Sequence, residues 1–205
     1  MAATSGRNPA SPPQTENSKI TPNTSRLGGR LTDDGTGGRE TEVAAQPGIV
    51  QRTGQPYVAI RALVTMQTLG EVVPGLHPGV RRWLRSQGVQ PAGQPFCKYN
   101  VIDMDRQLEV EAGFPVAAPV TGGDQVLAAV LPAGRYATLR HTGHPDGLAG
   151  ATRTLLDWAA QQGLAWDVTS TPGGEQWGCR REIYHDEPGQ DMNERETELA
   201  FKLAG

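Results

Sequence analysis

Hydrophobic and polar positions change character sharply near Gly48. Gln55 to Met66 is β-branched and aliphatic enough for a strand. Leu76, Val80, Trp83 and Leu84 follow at i, i+4, i+7 and i+8, one stripe of a helix that ends at Gly88. Phe96 to Asp103 and Leu108 to Val116 then read as a hairpin around the polar turn Met104-Asp105-Arg106. The same succession begins again after Gly122-Gly123. Val126 to Val130 and Tyr136 to His141 are strand-like, with a break or bulge at Pro132-Ala133-Gly134. A second helix is expected from near Asp146 to Gln162, stopped by Gly163. Trp177 to His185 and Thr197 to Leu203 form a closing hairpin.

The recurrence extends to residue identities. Tyr57-Val58-Ala59-Ile60-Arg61 is answered by Tyr136-Ala137-Thr138-Leu139-Arg140, and Trp83…Gly88 by Trp158…Gly163. Glu111 to Val116 is matched by Glu198 to Leu203. Three matches in one order, offset by about 75 to 87 residues, indicate a duplicated half. The fold class expected is therefore α+β: a tandem, pseudo-symmetric pair of β-α-β-β modules, about 48–120 and 121–205, forming an antiparallel sheet with both helices on one face.

Residues 1–47 do not share this pattern. They contain no Phe, Trp or Tyr, and their only large aliphatics are Ile20, Leu27, Leu31 and Val43. Such a segment cannot bury enough apolar surface to offset its ordering entropy, so a disordered tail is expected. Arg7, Lys19, Arg26, Arg30 and Arg39 are cancelled by Glu16, Asp33, Asp34, Glu40 and Glu42. Without clustered positive charge the tail is a poor nucleic-acid arm, and a net charge of −3 argues against a polyanionic partner for the chain.

No apolar run approaches the ~20 residues of a membrane span. The start lacks the charged-then-apolar pattern of a secretory signal, so a cytoplasmic protein is expected, with Cys97 and Cys179 as buried thiols. His141 and His144 lie three apart beside Pro145, but no further ligand completes a metal site. Walker, dinucleotide-binding and Gly-x-Ser-x-Gly patterns are missing, and no cofactor is expected.

Several segments together resemble the GyrI-like domain, also called the bacterial transcription-activator effector-binding domain. They are Tyr136 to Gly143, Asp157-Trp158 with Gly163-Leu164, Arg181 to Pro188, Thr197-Glu198-Leu199, and Val110 to Val116 in the first half. The resemblance covers about residues 48 to 205. It implies a tandem β-α-β-β fold with a pocket between the halves, lined by aromatics around an acidic residue.

Carried over residue by residue, that acid falls on Glu182. Strand alternation puts Glu182 and Tyr184 on one face, with Arg181 and Ile183 pointing away. An acid on a largely buried face needs compensation: a cationic aromatic ligand would supply it, and so would Arg180 on the same face. The repeat sets Tyr99 against Tyr184 and Cys97 against Glu182, which makes Tyr99 a second candidate. Trp83 and Trp158 could wall the cleft or serve as core. Trp177 has the wrong parity for Glu182 unless a bulge intervenes, at Gly178 for example. His185 faces away.

Three functions remain open. The first is a stand-alone binding protein for a small organic, drug-like molecule. The second is a hydrolase of strained electrophilic natural products, with Glu182 as catalytic base and Tyr99 or Tyr184 as proton donor. The third is a protein-interaction inhibitor.

Overall fold

A computed structural model describes residues 46–186 and 189–205. The expected tail lies outside them except for Gln46 and Pro47. The described elements are β1 (Gly48–Arg52), β2 (Gln55–Val64), α1 (Leu69–Ser86), β3 (Phe96–Ile102), β4 (Leu108–Pro115), β5 (Leu127–Leu131), β6 (Gly134–Thr142), α2 (Leu148–Gln161), β7 (Val168–Thr171), β8 (Gly174–Tyr184) and β9 (Glu196–Lys202). The first helix begins two turns before the Leu76 stripe, because Pro74 and Pro78 obscure its opening turns. The second begins at Leu148 rather than Asp146, since Pro145–Gly147 forms a separate 3-10 turn capped by the His144 side chain.

Every strand pairing among the described residues is antiparallel, in the order β1-β6-β9-β8-β3-β4-β2-β5, with β7 added to β8. The duplication is written into the registers. Tyr57 pairs with Pro115 and Arg61 with Glu111; at the repeat-equivalent positions, Tyr136 pairs with Lys202 and Arg140 with Glu198. Both helices also end alike. Gly88 (φ 66°) and Gly163 (φ 65°) adopt left-handed backbone, and the next residues, Val89 and Leu164, donate back to the carbonyls of Leu84 and Ala159. Only glycine takes such a φ cheaply, which is why the tryptophan-to-glycine spacing recurs.

Both helices lie on the same face of the sheet. Val73 from α1 and Leu155 from α2 join one apolar cluster with Cys97, Tyr99, Leu139 and Leu199. The opposite face, with Tyr57, Phe96, Tyr136, Cys179 and Ala200, is equally buried although neither of the two described α-helices covers it. Cys97 and Cys179 are free thiols on opposite faces.

The connections explain how the helix-free face is shielded. In a flat sheet the six strand spacings between β1 and β2 would separate them by about 29 Å. Only Thr53 and Gly54 join them, and three peptide steps reach about 11 Å. The same constraint binds β5 to β6 through Pro132 and Ala133. The sheet must therefore curl until its edges approach, enclosing its own inner face. Each module thus lends its first short strand to the other module's edge: β1 pairs with β6, and β5 with β2.

Tight inner packing leaves Gly113 no room for a side chain. A Cβ there would lie 2.7 Å from the Val58 carbonyl oxygen and 2.9 Å from both Ala59 Cβ and the Phe96 ring. Gly113→Ala is expected to destabilise the fold by about 1–3 kcal/mol, as overpacking does. Gly75, in mid-helix with open space around it, should show the reverse. Gly75→Ala is expected to add roughly 0.5–1 kcal/mol, from reduced unfolded-chain freedom. Urea unfolding of the two variants checks both signs.

Candidate functional site

The two modules meet where β3 runs beside β8. Cys97 lies directly opposite Glu182, and these are repeat-equivalent positions, so the pseudo-two-fold axis passes between them. Tyr99 and Tyr184, each two residues farther along its strand, flank that axis. The Tyr99 hydroxyl donates to Glu182 Oε1 at 2.9 Å, and the Tyr184 hydroxyl donates to Oε2 at 3.2 Å. One carboxylate is thereby held by two symmetry-related phenols. Carboxylates at both equivalent positions would sit side by side with no counter-charge, and the small neutral thiol of Cys97 avoids that repulsion.

The carboxylate is not fully compensated. Burial raises the Glu182 carboxyl above its ordinary range, against the pull of the two tyrosine hydroxyls and the Arg180 charge. Burial and the neighbouring acid push Tyr99 and Tyr184 well up, so both remain protonated donors. Burial and Glu182 likewise hold the Cys97 thiol up, which removes it as a nucleophile at neutral pH. Glu182 and Tyr184 nonetheless keep partial solvent contact, although protein atoms surround both.

Arg180 shares the face but forms no ion pair with Glu182. Its guanidinium carbon stands 4.5 Å from the Phe201 ring centre, 4.9 Å from Trp177 and 5.8 Å from Tyr99. Phe201 and Tyr99 are its direct cross-strand neighbours on β9 and β3. Trp177 joins them through a bulge. From Tyr99 to Val101 the first strand advances two residues, while its partner moves four, from Arg180 to Gln176. This irregularity spans Gly178 and turns Trp177 onto the face of Glu182, where it packs in the same cluster as Tyr99.

The remaining tryptophans divide. Trp158 packs against the cluster that contains Tyr99 and Trp177. Trp83 instead packs with Val80, Leu84, Phe114 and Val126 at the far end of α1, in a separate cluster from the acid. His77 joins the site without having been singled out by the sequence pattern. Its ring meets Tyr184 edge-on at 5.9 Å, and its Nε2 is 3.0 Å from the Phe96 carbonyl oxygen. Val73, His77, Val80 and Leu84 form a helical i, i+4, i+7, i+11 stripe, and that periodicity was the available signal. His185 lies 3.6 Å from Glu198, not near Glu182.

Glu111, on the inner face, provides a contrast within the same protein. It accepts from Tyr57 at 2.6 Å, Arg61 at 2.8 Å and Asn100 at 2.9 Å, with Lys98 at 3.3 Å. Burial raises its carboxyl, but Lys98 and the Tyr57, Asn100 and Arg61 hydrogen bonds outweigh that and leave it below the ordinary range. A carboxylate satisfied this fully is structural. Glu182, with two neutral donors, retains capacity for a further partner.

The sequence model of the GyrI-like small molecule binding domain matches residues 45–203. The chain belongs to this family. A comparison with curated protein sequences finds no match. Among solved structures, the EcmrR C-terminal domain is similar at TM-score 0.61 and 20% identity, over 78% of this chain and 98% of that one. EcmrR in its DNA complex gives TM-score 0.62 at 20% identity over 80% of this chain, which spans only 59% of that longer protein. SAV2435 bound to tetraphenylphosphonium aligns at TM-score 0.51 and 10% identity, over 78% of this chain and 94% of that one. At these identities the structures establish a shared fold.

The two embedded acids should respond oppositely to pH. Glu182 has a raised folded-state pKa, so its unfavourable contribution is absent below the ordinary carboxylate value and grows as pH rises toward the folded value. Glu182→Gln should therefore be more stable than the parent at neutral pH, with the gap closing in acid. Glu111 has a depressed pKa, so its stabilisation is present above the ordinary value and is lost as pH falls through the folded one. Glu111→Ala should cost about 3–5 kcal/mol at neutral pH, because it strands the largely buried Lys98 ammonium and leaves the Tyr57 hydroxyl without its acceptor. Melting temperatures across pH 3–8 (roughly the carboxylate-to-neutral window) test both signs.

Proposed function

We propose that this GyrI-like protein binds a cationic aromatic small molecule between its two modules, with Glu182 as the counter-charge. The observation that carries this reading is an embedded carboxylate held only by the two neutral hydroxyls of Tyr99 and Tyr184, with Trp177 in the same apolar cluster as Tyr99 and Trp158 packed against that cluster. Burial of Glu182 without a paired cation costs free energy that an incoming positive charge would recover. Aromatic faces add cation–π attraction and apolar area. A group enclosed by protein yet still reached by water suits the floor of a recess open to a ligand. Tetraphenylphosphonium, the ligand of the similar SAV2435, has the chemistry this reading calls for.

One observation also favours hydrolysis as a second reading. A carboxylate with a raised pKa, next to two protonated phenols, supplies a general base and a proton donor within one hydrogen-bonded unit. In that case the substrate is a strained electrophile opened by water that Glu182 activates.

One variant separates the two readings. Glu182→Gln preserves volume and hydrogen bonding but removes the charge. By calorimetric titration, tetraphenylphosphonium should bind Glu182→Gln more weakly by about 1–3 kcal/mol, the worth of a charge-assisted contact. Neutral triphenylphosphine oxide should bind parent and variant alike. Unchanged phosphonium affinity in the variant removes Glu182 from the binding account. Lost turnover of a strained electrophile with retained binding would place the protein among hydrolases.

A further inference from the structure

We propose that Arg180 is a built-in occupant of the ligand site: its guanidinium fills the cage of Tyr99, Trp177 and Phe201, and an external cation binds by displacing it. The inference rests on the binding reading above and adds the residue that sets its selectivity. Three ring faces converge on one side chain, at 5.8, 4.9 and 4.5 Å. Two of those rings lie on the strands either side of β8, and the bulge at Gly178 supplies the third. A cation enclosed by aromatic rings next to a carboxylate is the arrangement a bound aromatic cation would adopt, here made by the chain itself.

The hold on Arg180 is one that can be released. Among the described residues its guanidinium has no carboxylate within ion-pair distance, and its Nε has no hydrogen-bond acceptor. The Trp177 indole N–H has none either. Ring faces and the longer-range attraction of Glu182 and Glu175, without any close ion pair, therefore retain the charge, and cation–π contacts are individually modest. A ligand that offers the rings a larger cation, and Glu182 a closer charge, can take the place while the long arginine side chain turns outward to water.

The consequence is a filter. A neutral ligand gains little from Glu182 and must still evict Arg180, whereas a cation replaces one charge by another. Arg180 then lowers the affinity of every ligand that enters the cage, cations included, because it competes for the rings and repels like charge.

Calorimetric titration of the parent, Arg180→Ala, Arg180→Lys and Glu182→Gln with tetraphenylphosphonium and with triphenylphosphine oxide tests this. Arg180→Ala is expected to bind the phosphonium about tenfold more tightly, the scale of a lost cation–π competitor and its like-charge repulsion. Arg180→Lys, which keeps the charge, should gain much less. In a thermal-shift assay, ethylguanidinium should stabilise Arg180→Ala by re-entering the vacated cage and leave the parent unmoved. Equal or weaker phosphonium binding by Arg180→Ala overturns the proposal. If Glu182→Gln loses phosphonium affinity while Arg180→Ala gains none, the displacement idea fails and the binding reading stands. Phosphonium binding to neither parent nor Arg180→Ala overturns both.

Discussion

The antiparallel pairing of β3 with β8 is the constraint on which the rest of this protein depends. Among the described residues it is the only ladder that joins the inner strands of the two modules, and its register sets Cys97 opposite Glu182 on the pseudo-two-fold axis. A shift of one residue would turn Glu182, Arg180 and Tyr184 toward the inner face, and would bring Arg181 and Ile183 under the helices. The register also decides which donors reach the carboxylate. Only with Cys97 opposite Glu182 do both tyrosines stand two residues from the axis, each within reach of a different carboxylate oxygen.

Symmetry and its breaking have separate roles. The backbone, the helix ends and the paired tyrosines follow the duplication closely, so the framework is nearly two-fold. The charges at the β3–β8 seam do not follow it. Glu182 answers Cys97, and Arg180 answers Pro95 across the axis. A symmetric frame thus carries a one-sided candidate site, with anion and cation from β8 and aromatic rings from three strands.

Much of the framework is legible in the amino-acid sequence, for a physical reason. A duplicated sequence reports its own equivalences, so matching Tyr57 to Tyr136 and Glu111 to Glu198 requires no knowledge of three-dimensional contacts. Strand parity likewise puts Glu182 and Tyr184 on one face. What escapes is non-local. The Gly48–Arg52 strand pairs with Gly134–Thr138, 82 to 90 residues later, and nothing in its own alternation names that partner. His77 escapes because polarity masks its place on an apolar stripe. Trp83 and Trp158 look alike in sequence, yet only Trp158 joins the cluster with Tyr99, because Gly123 and Val126 draw Trp83 toward the link between modules.

The exchange of first strands between modules has a bearing on how the chain acquires its structure during synthesis. When translation has delivered β1 to β4, the first module still lacks both of its outer partners. Its leading strand awaits β6, and the free side of β2 awaits β5. Neither half can finish alone, since each holds a piece of the other's border. A nascent chain therefore exposes an unpaired strand edge until the second half emerges, the state most open to association with other chains. Once β5 and β6 arrive, both borders close through neighbouring segments of one chain. Completion of the first module's borders is thus tied to the arrival of the second module, and the melting of either half takes an edge strand from the other.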